Sequence, residues 1–164
     1  MAGRTHKERL IKDLNEIRGE LKKELALVKP ENYEWAPEPS MKSYKALLLE
    51  IGTMEKLCAG WLADKVMEDW GAAETSLGWD GTEAATALAP LEKVREKTLA
   101  YLNSCTEEQL QTPIDMPVEW HQYMGPTVEP EELVRWICRH EYYHLGQVVS
   151  YLWIQGHNPY AQAG

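Results

Sequence analysis

Apolar residues recur at spacings of three and four in four separate stretches, and each stretch predicts a helix. The first runs from about Thr5 to Val28, with Leu10, Leu14, Ile17, Leu21, Leu25 and Val28 in step; Lys29 and Pro30 end it. The second runs from about Ser43 to Met67, and one of its stripes reads Leu47, Glu50, Met54, Leu57 and Trp61. The third covers about Thr86 to Asn103, with Leu88, Leu91, Val94, Thr98 and Leu102 on one face. Pro90 falls in its first turn, where a missing N–H is tolerated. The fourth starts at Glu129 and Pro130, a favourable N-terminus, and reaches Gln155. Gly156 suits the left-handed position just past a helix, and Asn158 with Pro159 stops any continuation.

Glycine and proline break the sequence between these helices. Residues 31–40 form a Pro- and Glu-rich loop, and the stretch from Gly71 to Gly81 interrupts the helical pattern. Thr106 and Gln109 read as a capping box for one further short turn. In residues 112–128, Pro113, Pro117, Gly125 and Pro126 surround Val118, Trp120 and Tyr123, which predicts a long crossover loop or a short β-hairpin. Four amphipathic helices without a convincing strand predict an all-α four-helix bundle. The length of 164 residues fits one such domain over residues 1–164.

Charge narrows the function classes. The net charge is −9, and residues 1–30 hold eight Lys/Arg against five Asp/Glu, so the remainder is more acidic still. A chain this acidic lacks the electrostatic footprint for nucleic acid. The basic N-terminal stretch reads as a solvated helix face. Cys58, Cys105 and Cys138 show no CxxC spacing and read as buried free thiols of a reducing compartment. No apolar run approaches the ~18 residues that span a membrane, and residues 1–10 carry no apolar export segment. A cytoplasmic location without a membrane partner is expected.

The fourth helix carries the candidate chemistry. His140 and His144 are one turn apart, and four residues advance about 400° and roughly 6 Å, so the imidazoles point the same way. The core stripe reads Leu133, Trp136, Ile137, His140, His144, Gln147, Val148 and Tyr151. Two buried histidines are either hydrogen-bonded core residues or ligands of one metal. Glu50, in the stripe of the second helix that should face the core, is the matching carboxylate; it either completes a three-ligand site, or the helix turns slightly and Glu50 reaches solvent or pairs with an Arg or Lys. Two imidazoles and one carboxylate suit Zn²⁺, Ni²⁺, Fe²⁺ or Mn²⁺ with open positions. Residues 140–144 also fit the zinc-protease pattern HExxH. No Asp or Glu follows Glu141 to supply a third ligand, and Glu141 itself, about 100° around the helix from His140, is expected on a flank.

Residues 132–152, with His140, His144, Gly146 and Gln147, resemble the last helix of the DinB/YfiT-like metalloenzyme superfamily. Residues 35–40 and 153–159 are similar as well. The resemblance implies a four-helix bundle with a divalent metal between the second and fourth helices. The family's third ligand is usually a histidine of the second helix, and Glu50 stands in that position here. Relatives include transferases and isomerases that use low-molecular-weight thiols. The resemblance therefore implies a thiol-dependent enzyme acting on a small-molecule substrate, with a thiol as cosubstrate and a homodimeric assembly. Gln147 is then a residue that orients a ligand or packs the helix. Trp120 and His121 line a pocket mouth or sit in a surface loop. A bundle that binds a metal or ligand without turnover, or has lost the metal, is the alternative.

Overall fold

The structure is a computed structural model and describes residues 5–79, 84–158 and 161. Helix α1 spans His6–Leu25 and is started by a capping box, in which Thr5 and Glu8 satisfy each other's backbone N–H. Helix α2 spans Tyr44–Asp64; Ser43 caps it by accepting from the Ala46 N–H, and Lys65 ends it in the left-handed region at φ 56°. A short helix α3, Trp70–Ser76, follows, and Asp69 caps it. The glycine content of this stretch predicts a break. The Asp69 cap and the buried Ala73 are enough to close two turns.

Helix α4 spans Ala84–Ser104. It begins earlier than its periodicity predicts, so Pro90 lies inside the helix rather than in its first turn. Thr106 and Gln109 cap the short helix α5, Glu107–Gln111, with both halves of the capping box formed. Strand β1, Ile114–Asp115, then pairs antiparallel with β2, Thr127–Val128, with Ile114 opposite Val128 and Asp115 opposite Thr127. Between them lie a 3₁₀ turn, Val118–Trp120, and the one-turn helix α6, His121–Met124. The two readings of residues 112–128 thus merge into a crossover whose ends are clipped together as a minimal hairpin. Helix α7 runs from Pro130 to Ile154, and Gly156 follows at φ 80° as its C-terminal stop. Pro159 lies outside the described residues.

The four long helices form the bundle. Helix α1 packs on α7 and α4, and α2 packs on α4 and α7. Helices α1 and α2 are therefore diagonal, as are α4 and α7, so both long connections cross an end of the bundle. Helices α2 and α7 become neighbours, which their sequence separation alone does not require.

The core is divided by a layer of charge, to which each long helix contributes one residue: Arg18, Glu55, Arg95 and Glu141. All are at most 3% exposed. Arg18 donates to Glu141 through Nε at 2.5 Å and to Glu55 through Nη2 at 3.0 Å. Arg95 donates to Glu55 through Nε at 2.6 Å and through Nη2 to Glu141. Thr98 adds a hydrogen bond to Glu55, and Arg95 also donates to the Leu14 carbonyl. Above this layer lies an apolar cluster built on Leu21, Leu25, Tyr44, Leu47, Ile51, Leu91, Val148 and Tyr151. Below it lies a second, built on Leu10, Leu14, Cys58, Leu62, Leu102, Leu133 and Ile137.

Two expectations change here. Arg18 is not on a solvated face, and Glu141 is not on a flank; both are core residues. Each replaces an apolar residue in its helix's stripe, and burial is tolerated because every carboxylate meets two guanidinium groups. Burial alone would lower the Arg18 guanidinium, but Glu141 and Glu55 overcome it and hold the group above its ordinary value. Arg95 follows the same pattern, with Glu55 and Glu141 outweighing burial.

Candidate metal centre

Sequence periodicity places Glu50, Met54, Leu57 and Trp61 toward the core of α2. In the structure Leu47 and Leu57 of that stripe are buried, but the core face also takes in Leu48, Ile51, Glu55, Cys58 and Leu62. The helix is rotated because Glu55 must enter the charge layer. Glu50, Met54 and Trp61 consequently lie at the edge, partly buried, along the seam with α7. Across that seam His144 is buried and His140 is half-buried. Trp136, one turn before His140, donates its indole N–H to the Met54 sulfur at 3.3 Å.

The three predicted ligands converge. One donor atom from each of Glu50, His140 and His144 lies within 4.8 Å of the others. The two Nε2 atoms are 3.2 Å apart, and His144 Nε2 is 3.6 Å from Glu50 Oε2. Two ligand atoms at 2.0–2.1 Å from one tetrahedral ion are separated by about 3.3–3.4 Å, so the spacing suits a shared ion. Glu50 is 22% exposed, which leaves one side of the cluster open to solvent while His144 closes the other.

Gln147 sets the tautomer of His144. His144 Nδ1–H donates to Gln147 Oε1 at 2.6 Å, and the Nε2 lone pair is thereby aimed at the cluster. That lone pair faces the second imidazole nitrogen. At 3.2 Å the two nitrogens are joined either by the Nε2–H of a neutral His140 or by a shared cation. Protonation is disfavoured: burial, then the neighbouring His144, push the His140 imidazole down to about 4, against an opposing pull from Glu50. Burial also lowers His144, although Gln147 and Glu50 act the other way. Neutral imidazoles beside a carboxylate, converging at this spacing, are a donor set that fits a divalent metal.

Glu141 differs in position from what the HExxH pattern of a zinc protease requires. Its carboxylate turns away from the histidines and is held by Arg18 and Arg95, so it cannot serve as a base at this site. Lys42 was not singled out by the sequence. It precedes the Ser43 cap of α2, and its ammonium donates to Glu50 Oε2. Tyr143 is 65% exposed and packs edge-on against His144, with ring centroids 5.2 Å apart. Trp120 lines a cavity of about 700 Å³ together with Trp61 and Trp70, but none of the three metal candidates borders it. His121 Nε2 contacts the Met116 carbonyl at 3.0 Å.

No helix among the described residues is long and apolar enough to cross a membrane. A search of curated proteins finds no match. Among solved structures, the chain is similar to a DinB-like protein of Bacillus subtilis, YjoA, at 21% identity and a TM-score of 0.64. The match covers 91% of this chain and 92% of that one, which shows a shared fold. The family model of the DinB superfamily matches residues 7–148, a span that includes Glu50, the charge layer, both histidines and Gln147. The chain belongs to the DinB superfamily.

Proposed function

We propose that Glu50, His140 and His144 hold one divalent metal ion, and that the protein is a metal-dependent transferase or isomerase using a low-molecular-weight thiol. The observation that carries this reading is the convergence of two neutral imidazoles and a carboxylate from facing helices. Zn²⁺, Ni²⁺, Fe²⁺ and Mn²⁺ all accept this donor set. When bound, such an ion supplies a Lewis acid that lowers the pKa of a thiol at an open position.

The chain's own residues do the rest. Gln147 keeps the His144 lone pair directed inward. The charge layer, sharing Glu55 with α2 and Glu141 with α7, fixes the rotation of both ligand-bearing helices. Glu50, partly exposed, leaves its side of the cluster open to solvent. The protein's thiols are unsuited to act as nucleophiles, because burial pushes Cys58 and Cys138 up to about 12 and raises Cys105. A thiol nucleophile would therefore come from a cosubstrate. Exposed apolar side chains three turns apart on α7, Tyr142 with Trp153 and Tyr143 with Ile154, support a homodimer, which light scattering checks.

Lys42 favours a second reading. Its ammonium on Glu50 could stand where the cation belongs in a bundle that has lost its metal. Metal analysis of protein purified without chelator or a histidine tag separates the two. The metal-dependent reading predicts one ion per chain, lost in His140→Ala and in His144→Ala. A screen of thiols against electrophilic substrates then tests turnover. Absence of stoichiometric metal from a folded protein, also after incubation with each of the four ions, would favour the second reading.

A further inference from the structure

Lys42 has a place at the site that neither the sequence pattern nor the metal requires. Its backbone is anchored to the opposite helix: the Tyr151 hydroxyl of α7 donates to the Lys42 carbonyl at 3.0 Å. Tyr151 is itself fixed by edge-on contacts with Trp35 and Tyr44. The root of the Lys42 side chain is therefore held at the α2–α7 seam. From there the four-carbon stem, 53% exposed, carries the ammonium back to Glu50, two helical turns further along. It binds Oε2, the same oxygen that lies 3.6 Å from His144 Nε2.

The local charges then point to a ligand. The charged groups felt at the two imidazoles are Glu50 and Lys42. With the imidazoles neutral, a divalent ion and Glu50 together leave a charge of +1, and Lys42 brings it to +2. A dication on Oε2 repels the ammonium that was bound there. The flexible stem lets the ammonium move to a partner at the open side of the cluster. With the ion bound, this seam becomes a locally positive spot in a protein of net charge −9.

Resting on the metal-dependent reading above, we propose that Lys42 determines the specificity of this centre and selects a carboxylate-bearing small molecule, whose donor atom takes the open side of the metal while its carboxylate pairs with the Lys42 ammonium. Glu50 releases the ammonium when the metal binds, so the anion-binding function is switched on only in the loaded protein.

The test uses the full chain loaded with cobalt(II), whose absorption reports on its coordination. Titration with 3-mercaptopropionate and with its neutral counterpart 3-mercaptopropionamide gives two dissociation constants from the sulfur-to-cobalt charge-transfer band. The wild-type protein is expected to prefer the acid by about tenfold, as for one charge-assisted hydrogen bond in a partly desolvated site. Lys42→Gln weakens the acid more than the amide, although both bind as thiolates, and brings the preference to about twofold or less; Lys42→Arg restores it. Raising the ionic strength weakens the preference in the wild type only. A cobalt-loaded wild type with no preference, or a Lys42→Gln variant that keeps it, overturns this inference and leaves the metal reading standing. A folded wild type that takes up no cobalt overturns both.

Discussion

His140 and Glu141 are neighbours on α7, yet they serve polar clusters of opposite design. Glu141 joins Glu55, Arg18 and Arg95 at the bundle centre, one residue from each long helix. Its charges balance, its hydrogen bonds are filled within the protein, and it is sealed from solvent. His140 joins His144 and Glu50 at the α2–α7 seam, where two imidazole nitrogens lie 3.2 Å apart beside a carboxylate and one side is open. A buried polar cluster that completes itself with fixed charges positions helices. One whose donor atoms converge at ligand spacing beside solvent suits a metal. The contrast teaches that burial and polarity alone do not mark a candidate site; convergence of donors at an open seam does.

The strongest way to break this comparison is to remove one member of the closed cluster. Glu141→Gln or Arg95→Met should cost about 3–5 kcal/mol of stability, because an uncompensated charge is left buried. Denaturant unfolding at neutral pH measures it. Replacing all four charges by apolar residues of similar volume should recover most of the loss. If the single variants were nearly neutral, the layer would not be holding the helices.

Gln147→Leu sharpens the other side. It should weaken metal affinity about 10–100-fold by freeing the His144 ring, while stability of the metal-free protein changes by about 1 kcal/mol or less. Competition with a chromophoric chelator reads the first quantity and denaturant unfolding the second.

Acid tests the imidazoles themselves. The folded metal-free protein holds both imidazoles below the ordinary value of 6.5, with His140 down to about 4. Between pH 6.5 and 4 the unfolded chain binds more protons than the folded one, so stability falls as pH falls across this window and levels off below it. Thermal unfolding against pH should show this slope in the wild type and a shallower one in His140→Ala. The smallest expected effect is at Lys42. Removing its competition for Glu50 in Lys42→Gln should tighten metal binding by about two- to fivefold, measured with the same chelator.

Much of this architecture was legible in the sequence. The four helices, the Thr5 and Thr106 starts and the Gly156 stop follow from local chemistry that tertiary context does not override. The triad was legible too, because the i, i+4 histidines need no long-range information to share a face, and the family pattern points to position 50. The charge layer was hidden by reading charge as a surface property. Its signal was present: Arg18 between Leu14 and Leu21, Glu55 between Ile51 and Leu62, Arg95 between Leu91 and Leu102, and Glu141 between Ile137 and Leu145 each interrupt a stripe. Two Arg and two Glu doing so on four helices is a pairing rule, visible only when the helices are compared together. Lys42 had no such signal, since its position depends on the Tyr151 contact across 109 residues.

Anomalous scattering from crystals of the metal-loaded protein, recorded at the absorption edge of the bound ion, tests the central claim most directly. The account predicts one peak per chain, with His140 Nε2, His144 Nε2 and a Glu50 oxygen each about 2.0–2.2 Å away, and Glu141 still held by Arg18 and Arg95. A fully loaded crystal with its peak elsewhere, or with Glu141 in place of Glu50 as a ligand, would contradict it.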